Sequence, residues 1–327
     1  MSVCADSHPK VSVFMTTYYH EKYLRQAVES VIAQKVDFPF EIVISDDASK
    51  DGTPELIKQL AAEYPCIRYV INAENKGLTA NVYQVKSMCR GDYLIDLSGD
   101  DYWIDPEKMR KQASFLDDHT DYIAVGTRIE SRINDSQKAE EVIPDLKYCN
   151  CDITLDMFLS GISIPLNGIM MRNVYKDDST KDLFAIMPKM SRYIDDLTDE
   201  FLLHLSGRIM ILPDITSVYR MIKDVADAHN YNSLERNMDR FQNHVELLNN
   251  LDQYFEAKYD FFDRYRMTTR MAILHAVQSG NFSGFKNVYA TIPSHYRRRG
   301  LLIRSGLSSG AYVLKVLGGR LTGRRRT

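Results

Sequence analysis

The chain has 327 residues, of which 44% are hydrophobic and 26% charged, and its formal net charge is −3 at pH 7. This composition is typical of a globular protein and excludes the disordered and fibrous classes. No apolar run reaches the length of about 18 residues that a transmembrane helix requires, so we expect none. The N-terminal stretch MSVCADSHPK lacks the charged-then-apolar pattern of a secretory signal, and we therefore expect a cytoplasmic protein.

The first third of the chain alternates between strand and helix patterns. Apolar, β-rich runs predict strands at 10–19, 40–49, 66–72 and 92–99. Apolar residues at helical spacing and a Thr-Pro start predict helices at 23–34, 53–64 and 78–90. Strands that alternate with helices over short connections form parallel sheets covered on both faces. We therefore predict an α/β fold.

The rest of the chain continues this pattern and then becomes helical. We predict a helix at 104–119, a strand at 122–130, a loop at 131–152, a strand or turn at 162–173, a helix at 195–207 and a strand at 208–220. From about 232 the apolar residues recur at helical spacing only, and they predict a core-facing amphipathic helix. The predicted regions are 1–220, a helical extension at 221–284 and a basic tail at 285–327.

Polar residues follow three of the predicted strands at the point where each apolar run ends. They are Thr16 and Tyr18, then Asp46 and Asp47, then Asp100 and Asp101. Ligands of open α/β sheets bind beyond the carboxyl ends of the strands, so we expect these three groups to line one crevice.

The negative charge of two pairs of adjacent carboxylates in one crevice must be compensated, because neighbouring anions repel each other. One solution is Mg²⁺ or Mn²⁺, which binds carboxylate oxygens together with phosphate oxygens of a substrate. Another is hydrogen bonding to a nucleobase or to ribose hydroxyls. A nucleoside diphosphate satisfies both demands. A single Asp-Asp pair is more often a helix cap or a solvated turn, but two pairs at successive strand ends favour a binding site.

The motifs resemble those of family 2 glycosyltransferases, in order and spacing, from about residue 10 to 220. The resemblance rests on VSVFMTTYYHEKYLRQAVESVIAQ, EIVISDDASKDGT, ENKGLTANVYQVKSMCRGDYLIDLSGDDYWIDPEKMRKQASFL and DDLTDEFLLHLSG followed by SVYR. It implies a GT-A fold, with a mixed, mainly parallel sheet flanked by helices and a C-terminal helical extension. It also implies transfer from a nucleotide-sugar donor, with a UDP-sugar favoured, to a saccharide acceptor with inversion, in capsule, O-antigen or other surface-glycan synthesis.

The resemblance assigns the donor-binding residues by position. Thr16 and Tyr18 lie where the family lines its nucleotide pocket, and Asp47 lies where a carboxylate accepts from the base, with Asp46 beside it. Lys76, in the NKG stretch, is expected near the phosphates, and Arg220 is a further candidate for that role.

The acidic motif is expected to hold Mn²⁺ or Mg²⁺. Asp100 corresponds to the position nearer the ribose and Asp101 to the position on the metal, with Asp100 as its neighbour in that site. Many relatives have another aspartate where this chain has Ser98, so the motif is shortened to GDD.

Inverting transfer also needs a carboxylate that removes the proton of the acceptor hydroxyl. The family places it at the start of a late helix, which here corresponds to Asp196, with Asp195 supporting it. Asp199 and Glu200 are the alternatives. The competing interpretation is that these acids only stabilise a helix N-terminus.

The tail is strongly basic, since residues 285–327 contain ten Lys or Arg residues and no Asp or Glu. Basic residues interleaved with apolar ones favour an anionic membrane surface, and a solvated tail is the alternative. Nucleic acid is not expected, because aromatic residues for base stacking are sparse. The resemblance implies a polyprenyl-linked acceptor at the cytoplasmic leaflet, with the protein peripheral on the inner face of the plasma membrane. It leaves open whether the chain forms oligomers.

Two other functions fit parts of this pattern. A metal-dependent nucleotidyltransferase also uses strand-end aspartates, but the Gly-rich basic phosphate loop expected there is absent. A nucleotide-sugar binding module without catalysis would keep the crevice and lack a placed base.

Overall fold

The computed structural model of the protein describes residues 8–134, 136–222 and 238–306. The chain divides into two compact units. We call Met1–Phe158 with Ser163–Ser233 the sheet unit, and Leu159–Ile162 with Leu234–Thr327 the helical unit. The predicted tail beyond residue 306 and the predicted helical residues 232–237 lie outside the described residues. The predicted region boundaries at 220 and 284 stay predictions.

The described part of the sheet unit is built on a mixed sheet of nine strands. The strands are β1 (Val11–Thr17), β2 (Phe40–Asp46), β3 (Ile67–Ile71), β4 (Tyr93–Asp96), β5 (Tyr102–Trp103), β6 (Tyr122–Ile133), β7 (Glu141–Ile143), β8 (Met170–Arg172) and β9 (Arg208–Met221). Their order is β3-β2-β1-β4-β8-β6-β9-β5, and β7 pairs with β6. The first four strands are parallel, β8 is antiparallel to both β4 and β6, and β6 and β9 are parallel.

Helices flank this sheet. They are α1 (Leu24–Ile32), α2 (Thr53–Glu63), α3 (Leu78–Met88), α4 (Lys108–Asp118), α5 (Leu155–Leu159), α6 (Lys181–Phe184), α7 (Met187–Met190) and α8 (Asp196–Ser206). Single 3₁₀ turns occupy Leu146–Tyr148 and Leu166–Gly168. The mixed α/β sheet with flanking helices is confirmed. The loop predicted at 131–152 was only partly right, because β6 continues to Ile133 and β7 extends the sheet beside it.

Burial on both faces explains why the first strands are nearly continuous apolar runs. Every residue of β2 is buried, and six of the seven residues of β1 are buried. On α1, Leu24, Ala27, Val28 and Val31 share one face and are completely buried against the core that contains both strands. Apolar side chains at helical spacing thus cover one face of the parallel half of the sheet.

A buried ion pair connects α3 to α8. Lys86 Nζ contacts Asp199 Oδ2, and the two side chains are 1% and 0% exposed. The ammonium also lies over the Phe14 ring, 4.9 Å from its centroid, and 5.7 Å from the centroid of the Tyr175 ring. The two buried charges compensate each other, and the aromatic faces add to the stabilisation of the ammonium, so the pair fixes α8 against α3.

The helical unit contains α9 (Met238–Tyr254), α10 (Phe262–Ser279), α11 (Phe282–Thr291) and α12 (Ser294–Arg298). On α9 the predicted apolar stripe is buried at Met238, Phe241, Val245 and Leu248. Two buried tyrosines lie beside each other, with 4.6 Å between the ring centroids of Tyr265 and Tyr296. Within the described residues, no helix combines the length and the apolar character needed to span a bilayer.

Breaking the buried ion pair should destabilise the sheet unit strongly. Lys86→Ala leaves the Asp199 carboxylate buried without its cation, which typically costs about 3–5 kcal/mol. Urea unfolding followed by circular dichroism measures the free energy of unfolding. The matched control is Lys58→Ala, which breaks an exposed pair with Glu55 and should cost less than about 1 kcal/mol. Equal effects of the two substitutions would contradict a dominant role of the buried pair.

Candidate active site

Three parallel strands of the sheet unit end at one edge of the sheet. β1 lies between β2 and β4, and the last residues of β1 and β2, Thr17 and Asp46, are register partners. The loops stay in contact beyond the strand ends, because Asp47 N donates to Thr17 O over 2.9 Å and Gly99 N donates to Thr16 O over 3.1 Å. The polar groups that were predicted to converge therefore lie on adjacent loops.

Asp46 organises the turn that follows β2. Its carboxylate is completely buried and accepts hydrogen bonds from Thr17 Oγ1 (3.0 Å), Ser49 N (3.0 Å) and Ser49 Oγ (2.5 Å). Within this turn Ala48 has a φ of +64°, a left-handed conformation that L-residues adopt only with support from their surroundings. Asp46 supplies that support, so its carboxylate shapes the loop.

Asp47 holds the loop between β3 and α3. Its Oδ1 accepts from Lys76 N over 2.7 Å and its Oδ2 from Gly77 N over 3.0 Å. Gly77 has a φ of +88°, and a Cβ atom there would lie 2.6 Å from Arg192 Cγ, so the position requires glycine. The exposed side chain of Lys76 donates to Gln84 Oε1 on α3. Lys76 is therefore at this loop, with its ammonium on the solvent side.

Thr16 and Tyr18 are half-buried where β1 runs into its loop. The Tyr18 ring packs edge-on against Tyr19, with 4.7 Å between the centroids. Burial raises the pKa of Tyr18, and Tyr19, Asp47 and Asp46 raise it further. The Tyr18 hydroxyl is thus within electrostatic reach of the first carboxylate pair.

The second carboxylate pair is held by neutral donors. Asp101 is 2% exposed, and its Oδ1 accepts from Arg220 N over 2.8 Å. Asp100 Oδ1 accepts from Ser98 Oγ over 2.6 Å, and its Oδ2 lies 3.7 Å from His20 Nε2. Burial raises the pKa of Asp101 well above its usual range, and the Asp100 charge adds to this. Ser98, the departure from the family motif, therefore orients Asp100.

Arg220 contacts the backbone of the acidic motif. Its side chain is buried between the rings of Tyr23 and Tyr102, 4.6 Å and 5.1 Å from their centroids. One guanidinium nitrogen donates to Gln26 Oε1 over 2.6 Å and another donates to the backbone oxygen of Asp100. These contacts tie the Arg220 guanidinium to the backbone of the motif.

Sequence reasoning missed a chain of contacts that fixes Asp101 from the other side. Asn167 Nδ2 donates to Asp101 Oδ2 over 3.1 Å. Completely buried Lys108, on α4, donates from Nζ to three oxygens, namely Thr127 Oγ1 (3.2 Å), Gly168 O (3.2 Å) and Thr216 Oγ1 (3.1 Å). Burial lowers the pKa of Lys108 to about 7. The buried ammonium thus holds the turn that carries Asn167. In the sequence, the GDD motif that contains Asp101 was the only indication that this region belongs to the site.

The Asp100–Asp101 pair fits a divalent cation that arrives with other ligands. Among the described residues, no three His, Cys, Asp or Glu side chains are grouped so that they could hold a metal ion. His20 Nε2 lies 3.7 Å from Asp100 Oδ2. Mg²⁺ commonly binds through one or two carboxylates plus phosphate and water oxygens. The pair therefore suits Mg²⁺ or Mn²⁺ together with a phosphate-bearing ligand.

The acids predicted to include the base lie at the start of α8. Asp195 precedes the helix and is half-buried, and Asp196, its first residue, is exposed. Burial raises the pKa of Asp195 to about 7, with contributions from Asp196 and Asp96. Asp196 Oδ1 accepts a hydrogen bond from Leu197 N over 2.8 Å.

The two alternative acids on α8 are buried and bonded to protein. Asp199 pairs with Lys86. Glu200 is 2% exposed and accepts from Ile164 N over 2.9 Å, and its Oε1 lies 3.8 Å from His204 Nε2. The solvent-accessible acids of this helix start are therefore Asp195 and Asp196.

Asp96 is a further carboxylate of this crevice that sequence reasoning did not single out. It is the half-buried last residue of β4, and Phe14 of β1 is its register partner. Burial raises its pKa to about 7. The available signal was an acid at the end of an apolar strand, the same pattern that identified Asp46.

The sequence profile of Glycosyl transferase family 2 matches residues 12–175, half of the chain. The chain belongs to this family. A protein of Mycobacterium tuberculosis is 34% identical over 212 residues, which are 64% of this chain and 58% of that protein. The chain thus spans less than two thirds of the length of this relative.

Solved structures share the fold at low sequence identity. TarS 1-349 of Staphylococcus aureus in complex with UDP-GlcNAc superposes with a TM-score of 0.57 and 18% identity, covering 94% of this chain and 92% of that chain. A mannosyltransferase of Pyrobaculum calidifontis in complex with GDP-Man and Mn²⁺ gives a TM-score of 0.51 and 15% identity, covering 93% and 88%. The expected GT-A fold of this family 2 chain is confirmed.

The raised pKa of Asp195 should make stability depend on pH. The pKa of Asp195 is about 7 in the folded chain, whereas an unfolded aspartate has a pKa of about 3.9. Between these values the folded state holds a proton that the unfolded state has lost, so the free energy of unfolding falls as pH rises. Asp195→Asn should remove this part of the fall, on the order of 1 kcal/mol because solvent contact screens a half-buried group.

Urea unfolding at about pH 5 and about pH 8 tests this sign. Asp182→Asn, at an exposed acid on α6, is the control and should leave the pH dependence unchanged. A parallel pH dependence of Asp195→Asn and the unsubstituted protein would contradict the raised pKa.

Proposed function

We propose that this protein transfers a sugar from a nucleoside-diphosphate donor, with a UDP-sugar favoured, to a saccharide acceptor with inversion, in the synthesis of a cell-surface glycan such as capsule or O-antigen. The observation that carries this proposal is the convergence of the Asp46–Asp47 and Asp100–Asp101 pairs on adjacent loops at one strand edge. Family membership supports it, as do the nucleotide sugars bound by TarS and by the mannosyltransferase.

In this proposal the loops after β1 and β2 bind the nucleotide. Thr16 and Tyr18 line the pocket, and Asp47 accepts a hydrogen bond from the base with lone pairs that Lys76 N and Gly77 N leave available. Asp46 keeps the turn in shape, and the Lys76 ammonium is close enough to the loop to approach the phosphates after a rotamer change. Asp100, oriented by Ser98, accepts from the ribose.

Asp101, with Asp100 beside it, would hold Mn²⁺ or Mg²⁺, which supplies positive charge that stabilises the departing diphosphate. The chain's own contribution is to hold the two carboxylates in place. Arg220 N and Asn167 Nδ2 each donate to Asp101, and such hydrogen bonds favour the charged form against the opposing effect of burial.

Asp196 is the proposed base. A carboxylate at this position accepts the proton of the acceptor hydroxyl while the acceptor oxygen attacks the sugar from the face opposite the leaving group. Asp196 is exposed at the helix start, which leaves room for an acceptor. Half-buried Asp195 supports it, because burial, with the Asp196 charge adding to the effect, raises the pKa of Asp195 to about 7, near the pH at which a base works best.

Donor hydrolysis and transfer assays test these roles. Incubation with a panel of nucleotide sugars and Mn²⁺ should release nucleoside diphosphate from one donor. Asp101→Ala and Asp196→Asn should each lower the rate by about 100-fold or more. For Asp196 the reason is that general-base catalysis alone accelerates a reaction by about 10²- to 10⁴-fold. For Asp101 the reason is the loss of the proposed metal ligand. Asp182→Asn, at an exposed acid of α6, should leave the rate unchanged.

The same assay separates the rival functions. Release of pyrophosphate in place of nucleoside diphosphate would contradict sugar transfer and favour nucleotidyl transfer. Donor binding without turnover under any condition would favour a binding module.

We also propose that the C-terminal region binds anionic membrane from the cytoplasmic side, where a polyprenyl-linked acceptor would be presented. In the helical unit Phe282, Leu302 and Ile303 are 55%, 43% and 69% exposed, and Arg304 directly follows Ile303. The tail residues 307–327, outside the described residues, add five Lys or Arg and no acid. Apolar groups and cations together favour an interfacial location.

Vesicle co-sedimentation tests the membrane proposal. The protein should bind vesicles that contain phosphatidylglycerol and should not bind pure phosphatidylcholine, and salt should weaken binding. Removal of residues 307–327 should reduce binding at least about tenfold, since each cation contributes about 1 kcal/mol. Ile303→Glu should also reduce it, with Met271→Glu, at an exposed position on α10, as the control. Equal binding to both vesicle types would contradict the proposal.

A further inference from the structure

The Asp96 carboxylate differs from the other acids of the crevice because the described protein does not satisfy it. Asp46, Asp47 and Asp101 each accept two or more hydrogen bonds from protein donors. Asp96 is half-buried, yet it forms no hydrogen bond or ion pair with any described residue, and only burial and more distant charges act on it. A half-buried polar group without a partner carries a desolvation cost, which a bound ligand would offset.

Its position in the sheet places Asp96 between the acidic motif that contains Asp101 and the acids at the start of α8. It ends β4, directly before the loop that carries the acidic motif, and Leu97 N donates to Phe14 O over 3.2 Å to hold that strand end. Its charge acts on Asp101 and also on Asp195, so Asp96 is within electrostatic reach of both.

The groups around Asp96 come from three elements. Lys86 on α3 and Lys108 on α4 contribute positive charge, and Asp196 and Asp199 on α8 contribute negative charge. Lys86 is already bonded to Asp199, and Lys108 to three oxygens. The cations near Asp96 are therefore bound elsewhere, and the carboxylate stays available as an acceptor.

The geometry of inverting substitution constrains which part of the ligand can lie near Asp96. The attacking oxygen, the anomeric carbon and the leaving oxygen are in line, so the sugar ring lies between the base and the diphosphate. The proposed base is at the start of α8, and the proposed diphosphate site is at Asp100 and Asp101. The ligand surface nearest to Asp96 is then the sugar ring, whose hydroxyl groups are hydrogen-bond donors for a carboxylate.

We propose that Asp96 binds a hydroxyl group of the transferred sugar and so helps to select the donor. This inference rests on the proposed function. It names the sugar ring as the ligand, in contrast to the nucleotide, which the loops after β1 and β2 bind. Asp96 is then a specificity-determining residue.

Binding measurements on the full chain separate sugar recognition from nucleotide recognition. Isothermal titration with Mn²⁺ compares UDP and GDP with UDP-glucose, UDP-GlcNAc and GDP-mannose on the unsubstituted protein, Asp96→Ala and Asp96→Asn. The matched control is Asp92→Asn, since Asp92 is an exposed acid just before the other end of β4.

Asp96→Ala should leave the affinity for the preferred nucleoside diphosphate within about twofold. It should lower the affinity for the matching nucleotide sugar by about 10- to 100-fold, the effect of losing a hydrogen bond to a charged group. Asp96→Asn keeps the shape and one acceptor, so it should lose less and should change the ranking of the sugars. Deoxy analogues of the preferred donor should identify the bound hydroxyl, because one of them should bind the unsubstituted protein and Asp96→Ala equally.

Three results would overturn the inference. If Asp96→Ala binds the nucleotide sugar as the unsubstituted protein does, with nucleoside diphosphate still bound, sugar recognition by Asp96 is wrong and the proposed function stands. If Asp96→Ala and Asp96→Asn lose both ligands equally, Asp96 acts on the nucleotide site. If the unsubstituted protein binds none of the five probes, the proposed function fails as well.

Discussion

The central physical constraint in this molecule is the concentration of carboxylates at one edge of a parallel sheet. Five of them lie on the loops that follow β2 and β4, the two neighbours of β1, or at the last residues of these strands. Burial opposes the charge on two of the five, Asp96 and Asp101. The protein stabilises most of these charges with backbone N–H groups, hydroxyls and an amide. Neutral donors fix the geometry of an anion and leave its charge in place.

Two buried lysines show how the surroundings of this crevice are held. Lys86 joins α3 to α8 through Asp199, and Lys108 joins α4 to β6, β9 and the turn at Leu166–Gly168. Both ammonium groups are nearly inaccessible to water, and both bond to fixed protein oxygens. Positive charge is therefore present close to the carboxylates and is used to hold helices and turns. The two lysines therefore stabilise the protein around the crevice, through bonds to Asp199 and to three neutral oxygens.

Local patterns predicted the parallel half of the sheet and the convergence of three strand ends, because strand and helix periodicity and the strand-end rule act over short distances. The same patterns could not show how each acid is bonded. Asp47 is held by Lys76 and Gly77, and Asp101 by Asn167, across long separations in sequence. Such contacts depend on the folded backbone. Asp96 was missed because a single acid at a strand end has the same local pattern as a solvated turn.

The buried pair of Lys86 and Asp199 also links two loops of the crevice that are distant in sequence. Gly77, which Asp47 holds, precedes α3, and Asp196, the proposed base, begins α8. Because the pair joins these two helices through a buried contact, the loop held by Asp47 and the start of α8 belong to one rigid frame. A single cation and a single anion therefore set the relative position of two helix starts that no local sequence pattern connects.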